Sequence, residues 1–234
     1  MRYLHRFCLG GLQGFLKKRV PSICALLLLA LQAESTPNIY IAFTAAGWSG
    51  GALPAGWQIK VKDGKPDVSV CADQDPPCVR LKSVRSSFSL DRAVDVDPAN
   101  LPFLTWNWKV VQIPPNGDFR RVSTDDQAAQ LLVYFDDRRV ISYIWDSNAP
   151  KGVLQSASNV PLVHIYALVC RSGANDANRW IVENQNVAAD YERAYHRPAP
   201  RVKGLRIQIN SQHTGAVAES YFGEVAFRSS PSAE

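Results

Sequence analysis

Turn-forming residues return about every ten positions along this chain, and that spacing limits its fold more than any other feature. Clusters of Gly, Pro, Asn and Asp lie at 62–67, 97–102, 113–118, 147–152 and 172–176. The short segments between them are rich in Val, Ile, Tyr, Phe and Trp, which is the composition of β-strands. Many short strands at regular spacing predict an all-β sandwich or barrel.

Alternation within these segments indicates antiparallel sheets with one buried face. In residues 104–110 the even positions are Leu, Trp and Val and the odd ones are Thr, Asn and Lys, and residues 205–209 alternate in the same way. Successive side chains of a strand point to opposite faces, so such a strand has one buried and one solvated side. Only residues 187–195 have a helical pattern. We therefore predict an all-β fold, an antiparallel two-sheet β-sandwich of jelly-roll type with one short helix near 187–195.

Individual strands can be assigned as well. Segments 131–135 and 140–145 predict a hairpin, and further strands are expected at 163–170, 179–184 and 221–228. Because no long helical pattern accompanies them, a parallel sheet of βαβ units that binds nucleotides is not expected.

The N-terminal segment has the order of a signal peptide. Basic residues at 17–19 precede the nine-residue apolar run Ile23–Leu31, and the small residue Ala33 follows. This run is shorter than the roughly 20 residues that a membrane-spanning helix needs. We predict that residues 1–33 are a signal peptide or, as the second choice, an uncleaved N-terminal anchor. Residues 34–228 are then a single β-sandwich domain and residues 229–234 a disordered tail.

The formal charge of +5 belongs to that segment. Five of the 26 basic residues lie in the first nineteen positions, so residues 34–234 carry 21 basic residues against 21 acidic ones. Nucleic-acid affinity comes mostly from clustered cations that neutralise phosphates. A neutral domain therefore predicts no nucleic-acid partner, and membrane contact only through an uncleaved N-terminal segment.

Three cysteines follow the N-terminal segment. Cys71 and Cys78 bracket a turn-forming hexapeptide, which predicts a disulfide in an oxidising compartment. Cys170 ends an apolar run and is expected to be a buried, unpaired thiol.

Cofactor and metal motifs are missing from the sequence. It has no phosphate-binding glycine loop, no nucleophile elbow and no HExxH pattern. His164, His196 and His213 are isolated and lack the spacing of zinc ligands. We predict no cofactor and no metal.

Carboxylates and aromatic residues leave two interpretations open. A hydrolase or lyase could use Glu183 with Asp126 or Asp190, because glycoside cleavage takes two carboxylates across a cleft. A binding protein could instead stack sugars on Tyr143 and Trp145, which share one face near the end of a strand.

The motifs taken together resemble a bacterial family named domain of unknown function 3047. They are LPAGW (53–57), LTWNWKV (104–110), DDQAAQLLVYF (125–135), ISYIWDS (141–147), CRSG (170–173), RWIVENQNVAADY (179–191) and ESYFGEVAF (219–227). The resemblance implies an exported jelly-roll domain, periplasmic or secreted, without an established activity. The polar positions that match are Asp126, Tyr143, Trp145, Arg171, Glu183, Asn186 and Asp190. The chain departs from the family at 210–214, where relatives tend to have an acidic turn before the threonine.

Three functions follow in order of preference. The first is a non-catalytic binding module for a glycan or another cell-envelope ligand. Its expected ligand contacts are Tyr143, Trp145, Arg171, Glu183, Asn186 and Asp190. The second is the carbohydrate-active hydrolase or lyase that uses Glu183, and the third is a structural protein of the envelope.

Overall fold

The computed structural model describes residues 38–41, 53–71, 74–157 and 162–231. Every described residue belongs to the compact unit Ser35–Glu234. The predicted signal segment, residues 1–33, and the last three residues of the predicted tail lie outside the described residues.

Strands dominate the described part of the chain, as the turn spacing predicted. One α-helix, α1 (Val187–Tyr195), coincides with the predicted helical segment. The strands in chain order are β1 (Ile39–Ile41), β2 (Trp57–Asp63), β3 (Asp67–Cys71), β4 (Cys78–Val84), β5 (Ser87–Val96), β6 (Phe103–Gln112), β7 (Ala129–Phe135), β8 (Arg139–Asp146), β9 (Leu154–Ser156), β10 (His164–Ser172), β11 (Ile181–Asn186), β12 (Val202–Asn210) and β13 (Val217–Arg228).

Two sheets form the sandwich. The six-stranded sheet has the order β11–β6–β13–β4–β3, and β1 pairs with β13. The seven-stranded sheet has the order β2–β5–β12–β7–β8–β10–β9. The predicted jelly-roll sandwich is confirmed, including the hairpin, which is formed by β7 and β8.

One pair of strands departs from the predicted antiparallel arrangement. β8 and β10 run parallel, with Ile141 opposite Tyr166 and Tyr143 opposite Leu168. Between them the chain forms β9, which pairs antiparallel with the far side of β10. Because β9 runs opposite to both β8 and β10, it brings the chain back to the end of the sheet where β8 starts, and β10 then runs in the direction of β8.

Large aromatic side chains join the two sheets in the core. Trp106 and Trp108 from β6 lie with their ring centroids 5.3 Å apart in an edge-to-face arrangement. The ring centroid of Trp106 is 5.1 Å from that of Tyr143, and the ring centroid of Trp108 is 5.8 Å from that of Trp145. All four side chains are buried. Such contacts stabilise the core beyond the burial of apolar area, so these rings fix the position of β8 against β6.

The predicted disulfide is wrong for this structure. Cys71 and Cys78 lie directly opposite each other at the ends of β3 and β4, and both are free thiols. Burial raises the pKa of the Cys78 thiol to about 12, with Cys71 adding to the effect. Backbone pairing of the two strands, rather than a covalent bond, closes the turn between them. Cys170 is the buried free thiol that the sequence predicted.

Within the four described ranges, no helix combines the length and apolar content that crossing a bilayer requires. The same residues contain no group of three or more His, Cys, Asp and Glu side chains placed to hold a metal ion.

A candidate ligand-binding groove

Glu183, the centre of the predicted catalytic pair, points into the sandwich. Its side chain sits on β11 and the residue is 5% exposed. Its Oε1 accepts hydrogen bonds from Arg171 Nε at 2.7 Å and from Trp108 Nε1 at 3.1 Å. Arg171 also donates to Asp176 Oδ2 at 3.1 Å. These contacts neutralise the Glu183 carboxylate and hold β11 against β10, so the side chain does not open to a cleft.

Asp190 and Tyr143 form a second interior contact. Tyr143 Oη donates to Asp190 Oδ2 at 3.0 Å, and Arg193 NH2 lies 3.1 Å from the other carboxylate oxygen. Burial raises the pKa of Asp190, and it also raises the pKa of Tyr143. Asn186 caps α1, because its Oδ1 accepts the backbone N–H of Ala189 at 3.0 Å. The helix is therefore anchored to β8 and starts at a defined residue.

Trp145 completes this group of interior residues. It is fully buried, and its Nε1 donates to the carbonyl oxygen of Gly173 at 2.9 Å. The structure thus places the six predicted ligand contacts in the core, at its edge (Arg171) or at the start of α1 (Asn186). None of them lines the groove on the seven-stranded sheet that is described below.

Asp126 fixes a turn rather than facing an open cleft. The side chain is fully buried and accepts the backbone N–H groups of His213 at 3.2 Å and Thr214 at 2.6 Å. The Thr214 hydroxyl donates to it at 2.7 Å, and Asn210 Nδ2 donates at 3.3 Å. This turn covers the stretch 210–214, where the resemblance predicted a departure from the family, and Asn210 and His213 line the groove.

The groove crosses the seven-stranded sheet on the face that points away from the six-stranded sheet. It has a volume of about 290 Å³. Core side chains such as Leu131, Tyr143 and Ile207 come from the same strands but face the other way. The floor is built from alternate residues of β12, β7, β8 and β10: Asn210, Gln208, Arg206, Gln130, Leu132, Tyr134, Ser142, Ile144, Ile165 and Ala167.

A wall segment, residues 113–128, borders the groove and contributes Phe119, Val122, Asp125 and Gln127. The buried carboxylate of Asp146 holds this segment down, since its Oδ2 accepts the backbone N–H of Phe119 at 2.9 Å. At Gly117 a Cβ atom would lie 2.4 Å from the carbonyl oxygen of Asp126. Only glycine permits that approach, so the residue type at position 117 helps to fix the position of the wall.

Polar side chains form a row across the neighbouring strands β5, β12 and β7 at the more hydrophilic end of the groove. Gln208 pairs directly with Ser89 on one side and with Gln130 on the other. Ile144 follows Gln130 on the next strand. Neighbouring strands are about 4.8 Å apart, so amide and hydroxyl groups repeat at that interval across the sheet. Gln130 is held in place because its Nε2 donates to Asn210 Oδ1 at 2.7 Å.

The strongest charge on the floor is neutralised. Arg206 makes two parallel hydrogen bonds of 2.7 Å with the carboxylate of Asp91, and its guanidinium lies 5.2 Å from the ring centroid of Tyr134. Burial raises the pKa of Tyr134 to about 12, so its hydroxyl stays protonated. Burial also raises the pKa of Asp125 on the wall, although Gln127 donates a hydrogen bond to it. The free cation of the described lining is Lys62.

A shallower depression of about 310 Å³ continues the groove toward β2. Its lining includes Lys60, Ser87 and Ser89, and it shares Arg206 and Gln208 with the groove. An extended ligand could therefore lie across five or six neighbouring strands.

The sequence pattern predicts some of the residues that line this groove. The alternation in residues 205–209 places Arg206 and Gln208 on the solvated face, and both line the groove. In β7 and β8, however, residues of both faces are buried, so the pattern does not show which face turns outward. Tyr143 and Trp145 do share a face, as predicted, but it is the inner one.

Comparison with known proteins identifies the family of this chain by sequence. A family model described as "Protein of unknown function (DUF3047)" matches residues 47–226. No curated protein matches the sequence.

Several solved structures are similar to this chain at low sequence identity. The xyloglucanase domain of NopAA from Sinorhizobium fredii, in complex with cellobiose, is 6% identical with a TM-score of 0.47, over 74% of this chain and 94% of that one. A family 11 carbohydrate-binding module from Clostridium thermocellum is 8% identical with a TM-score of 0.41, over 82% and 95%. Endoglucanase 3 of Trichoderma harzianum, from family GH12, is 8% identical with a TM-score of 0.44, over 83% and 98%. At TM-scores below 0.5 these likenesses carry no argument about this chain.

Proposed function

We propose that this chain, which belongs to the family of proteins of unknown function DUF3047, binds a carbohydrate chain in the groove of its seven-stranded sheet. The observation that carries the proposal is the row formed by Gln208 and Gln130 on the groove floor and continued by Ser89 in the adjoining depression. Uncharged amide and hydroxyl groups stand there side by side, next to apolar side chains.

Their chemistry matches that of sugars. A glutamine side chain offers two donors and an acceptor, so it can pair with a hydroxyl group that both donates and accepts. Leu132 and Tyr134 lie on the same floor and provide apolar area for the C–H face of a sugar ring. The row repeats at about 4.8 Å across the strands, which suits a linear polymer lying across the sheet.

The distribution of charge favours a neutral or weakly charged polymer. Arg206 is neutralised by Asp91, so the lining of the groove offers Lys62 and the ring of His213 as its remaining basic groups. Proteins that bind nucleic acids neutralise several phosphates with clustered Lys and Arg residues. The described part of the groove does not have such a cluster.

A hydrolytic role has one feature in its favour, the raised pKa of Asp125 on the groove wall, which suits a general acid. Glycoside hydrolysis takes a second carboxylate at roughly 5–10 Å from the first. Among the described residues that line the groove and the adjoining depression, Asp125 is the single carboxylate. This arrangement supports binding over hydrolysis.

Glycan-array screening followed by isothermal titration calorimetry tests the proposal. The purified chain should bind at least one class of oligosaccharide, and Gln208→Ala should weaken that binding about three- to tenfold, the effect of losing one hydrogen bond. Gln112→Ala is the matched control, because Gln112 is an exposed amide at the end of β6 in the other sheet. Absence of binding at millimolar glycan, or equal effects of the two variants, would contradict the proposal.

We also propose that residues 1–33 direct export, so that the ligand is a glycan of the cell envelope or of the surroundings. The support is the order of basic, apolar and small residues in that segment. Mass spectrometry of protein recovered from the periplasm and the medium should give an N-terminus close to Glu34. An intact N-terminus in the membrane fraction would instead indicate the anchor, and an intact N-terminus in the cytoplasm would contradict export.

A further inference from the structure

Ser142 is surrounded by apolar side chains at one end of the groove. Its direct neighbours across the sheet are Leu132 on β7 and Ala167 on β10. Ile144 and Ile165 line the same part of the floor. We refer to these five residues as the Ser142 recess. Phe119 from the wall segment packs with Ile144 and Ala167.

The Ser142 hydroxyl has no hydrogen-bond partner among the residues that the structure describes. The residue is 3% exposed, and its Oγ is buried. Most buried polar atoms in folded proteins are paired, because a buried unpaired hydroxyl loses its hydration without compensation. The nearby groove floor is open to ligand, so the missing partner can come from a bound molecule.

Building on the carbohydrate proposal above, we propose that the Ser142 recess receives an acyl substituent of a sugar ring, either an acetamido or an O-acetyl group. Its carbonyl oxygen accepts the hydrogen bond that Ser142 Oγ can donate. Its methyl group packs against Ile144 and Ala167. Gln130 lies directly beside Ile144 on the neighbouring strand, where it can pair with a hydroxyl group of the same ring.

Other occupants match the recess less well. A hydrocarbon chain would leave the Ser142 hydroxyl unpaired. A bare sugar hydroxyl would pair with Ser142, but its remaining donor and acceptor positions would face only the apolar side chains of the recess. The ammonium group of a deacetylated amino sugar would lose its hydration without a carboxylate, because the five residues of the recess include none.

Calorimetry with three tetramers tests this inference: one of glucose, one of glucosamine and one of N-acetylglucosamine, all β-1,4-linked. The acetylated tetramer should bind about tenfold more tightly than the glucose tetramer, from one hydrogen bond and one buried methyl group. Ser142→Ala should weaken binding of the acetylated tetramer about fivefold and leave that of the glucose tetramer within about twofold.

Ser220→Ala is the matched control. Ser220 is also a buried hydroxyl without a partner in the described part of the chain, but it lies on β13 of the six-stranded sheet, away from the groove. The inference is overturned if the glucose and acetylated tetramers bind equally, or if Ser142→Ala and Ser220→Ala have the same effect. In both cases the carbohydrate proposal stands, because glycans still bind. If neither these tetramers nor any glycan of the array binds, the carbohydrate proposal fails and this inference fails with it.

Discussion

Replacing Glu183 separates a structural role from a catalytic one. The carboxylate is buried and accepts hydrogen bonds from Arg171 at 2.7 Å and from Trp108 Nε1 at 3.1 Å. Glu183→Ala removes both contacts and leaves a buried indole N–H and a guanidinium without their main acceptor. Glu183→Gln keeps an oxygen for Trp108 but removes the negative charge that faces Arg171.

The expected loss of stability follows from these contacts. Removing one member of a buried ion pair costs about 3–5 kcal/mol. Arg171 retains Asp176 as a second partner and its side chain is 21% exposed, so we expect the lower end, about 3 kcal/mol, for Glu183→Ala. For a chain of this size that loss lowers the melting temperature by roughly 6–12 °C. Glu183→Gln should cost about 1–2 kcal/mol, since one neutral hydrogen bond survives.

Urea unfolding followed by tryptophan fluorescence measures both variants. Glu224→Gln serves as the control because Glu224 pairs with Arg228 at 3.4 Å on the surface, where such a pair contributes about 0–1 kcal/mol. The structural interpretation is refuted if Glu183→Ala unfolds within about 0.5 kcal/mol of the unmodified chain, the upper limit for most surface substitutions. A catalytic carboxylate would instead lose activity on substitution without this loss of stability.

Three further predictions concern Asp126, Ser142 and Glu219. Asp126→Ala removes the acceptor of two backbone N–H groups and should cost about 3 kcal/mol in urea unfolding and weaken glycan binding at the rim. Ser142→Ala removes a buried unpaired hydroxyl, so the unliganded protein should be equally stable or up to about 1 kcal/mol more stable. Burial raises the pKa of Glu219, but Arg80 and Lys82 outweigh it and the net pKa is lowered. The unfolded chain then binds the proton first, so stability falls as the pH drops below about 4.5, and Glu219→Gln should flatten that dependence.

Specific results would contradict each of these. For Asp126, an unchanged unfolding midpoint would show that the turn does not depend on the carboxylate. For Ser142, a loss of more than about 1 kcal/mol in the unliganded protein would show that the hydroxyl has a partner. For Glu219, the unfolding midpoints of the unmodified protein and of Glu219→Gln would be compared from about pH 6 to pH 3. Identical midpoints over this range would show that the ion pairs with Arg80 and Lys82 do not contribute to stability.

Local patterns in the sequence determined the architecture of this protein. Alternation in 104–110 and 205–209, the spacing of turns and the single helical segment at 187–195 predicted the sandwich, its hairpin and α1. These features depend on residues close together in the chain. Backbone geometry fixes a period of two for strands and 3.6 for helices, so the pattern can be recognised without knowing the tertiary structure.

Only the tertiary structure decided where the groove lies and what the polar residues do. Alternation shows that β8 has two faces, but burial on both of them hides which one holds Ser142 and which one holds Tyr143. Glu183 is neutralised by a residue on another strand, and the row of Gln130 and Gln208 joins positions 78 residues apart. Such neighbours are set by strand order and register across a sheet, which the long-range packing of the core determines and local sequence spacing does not.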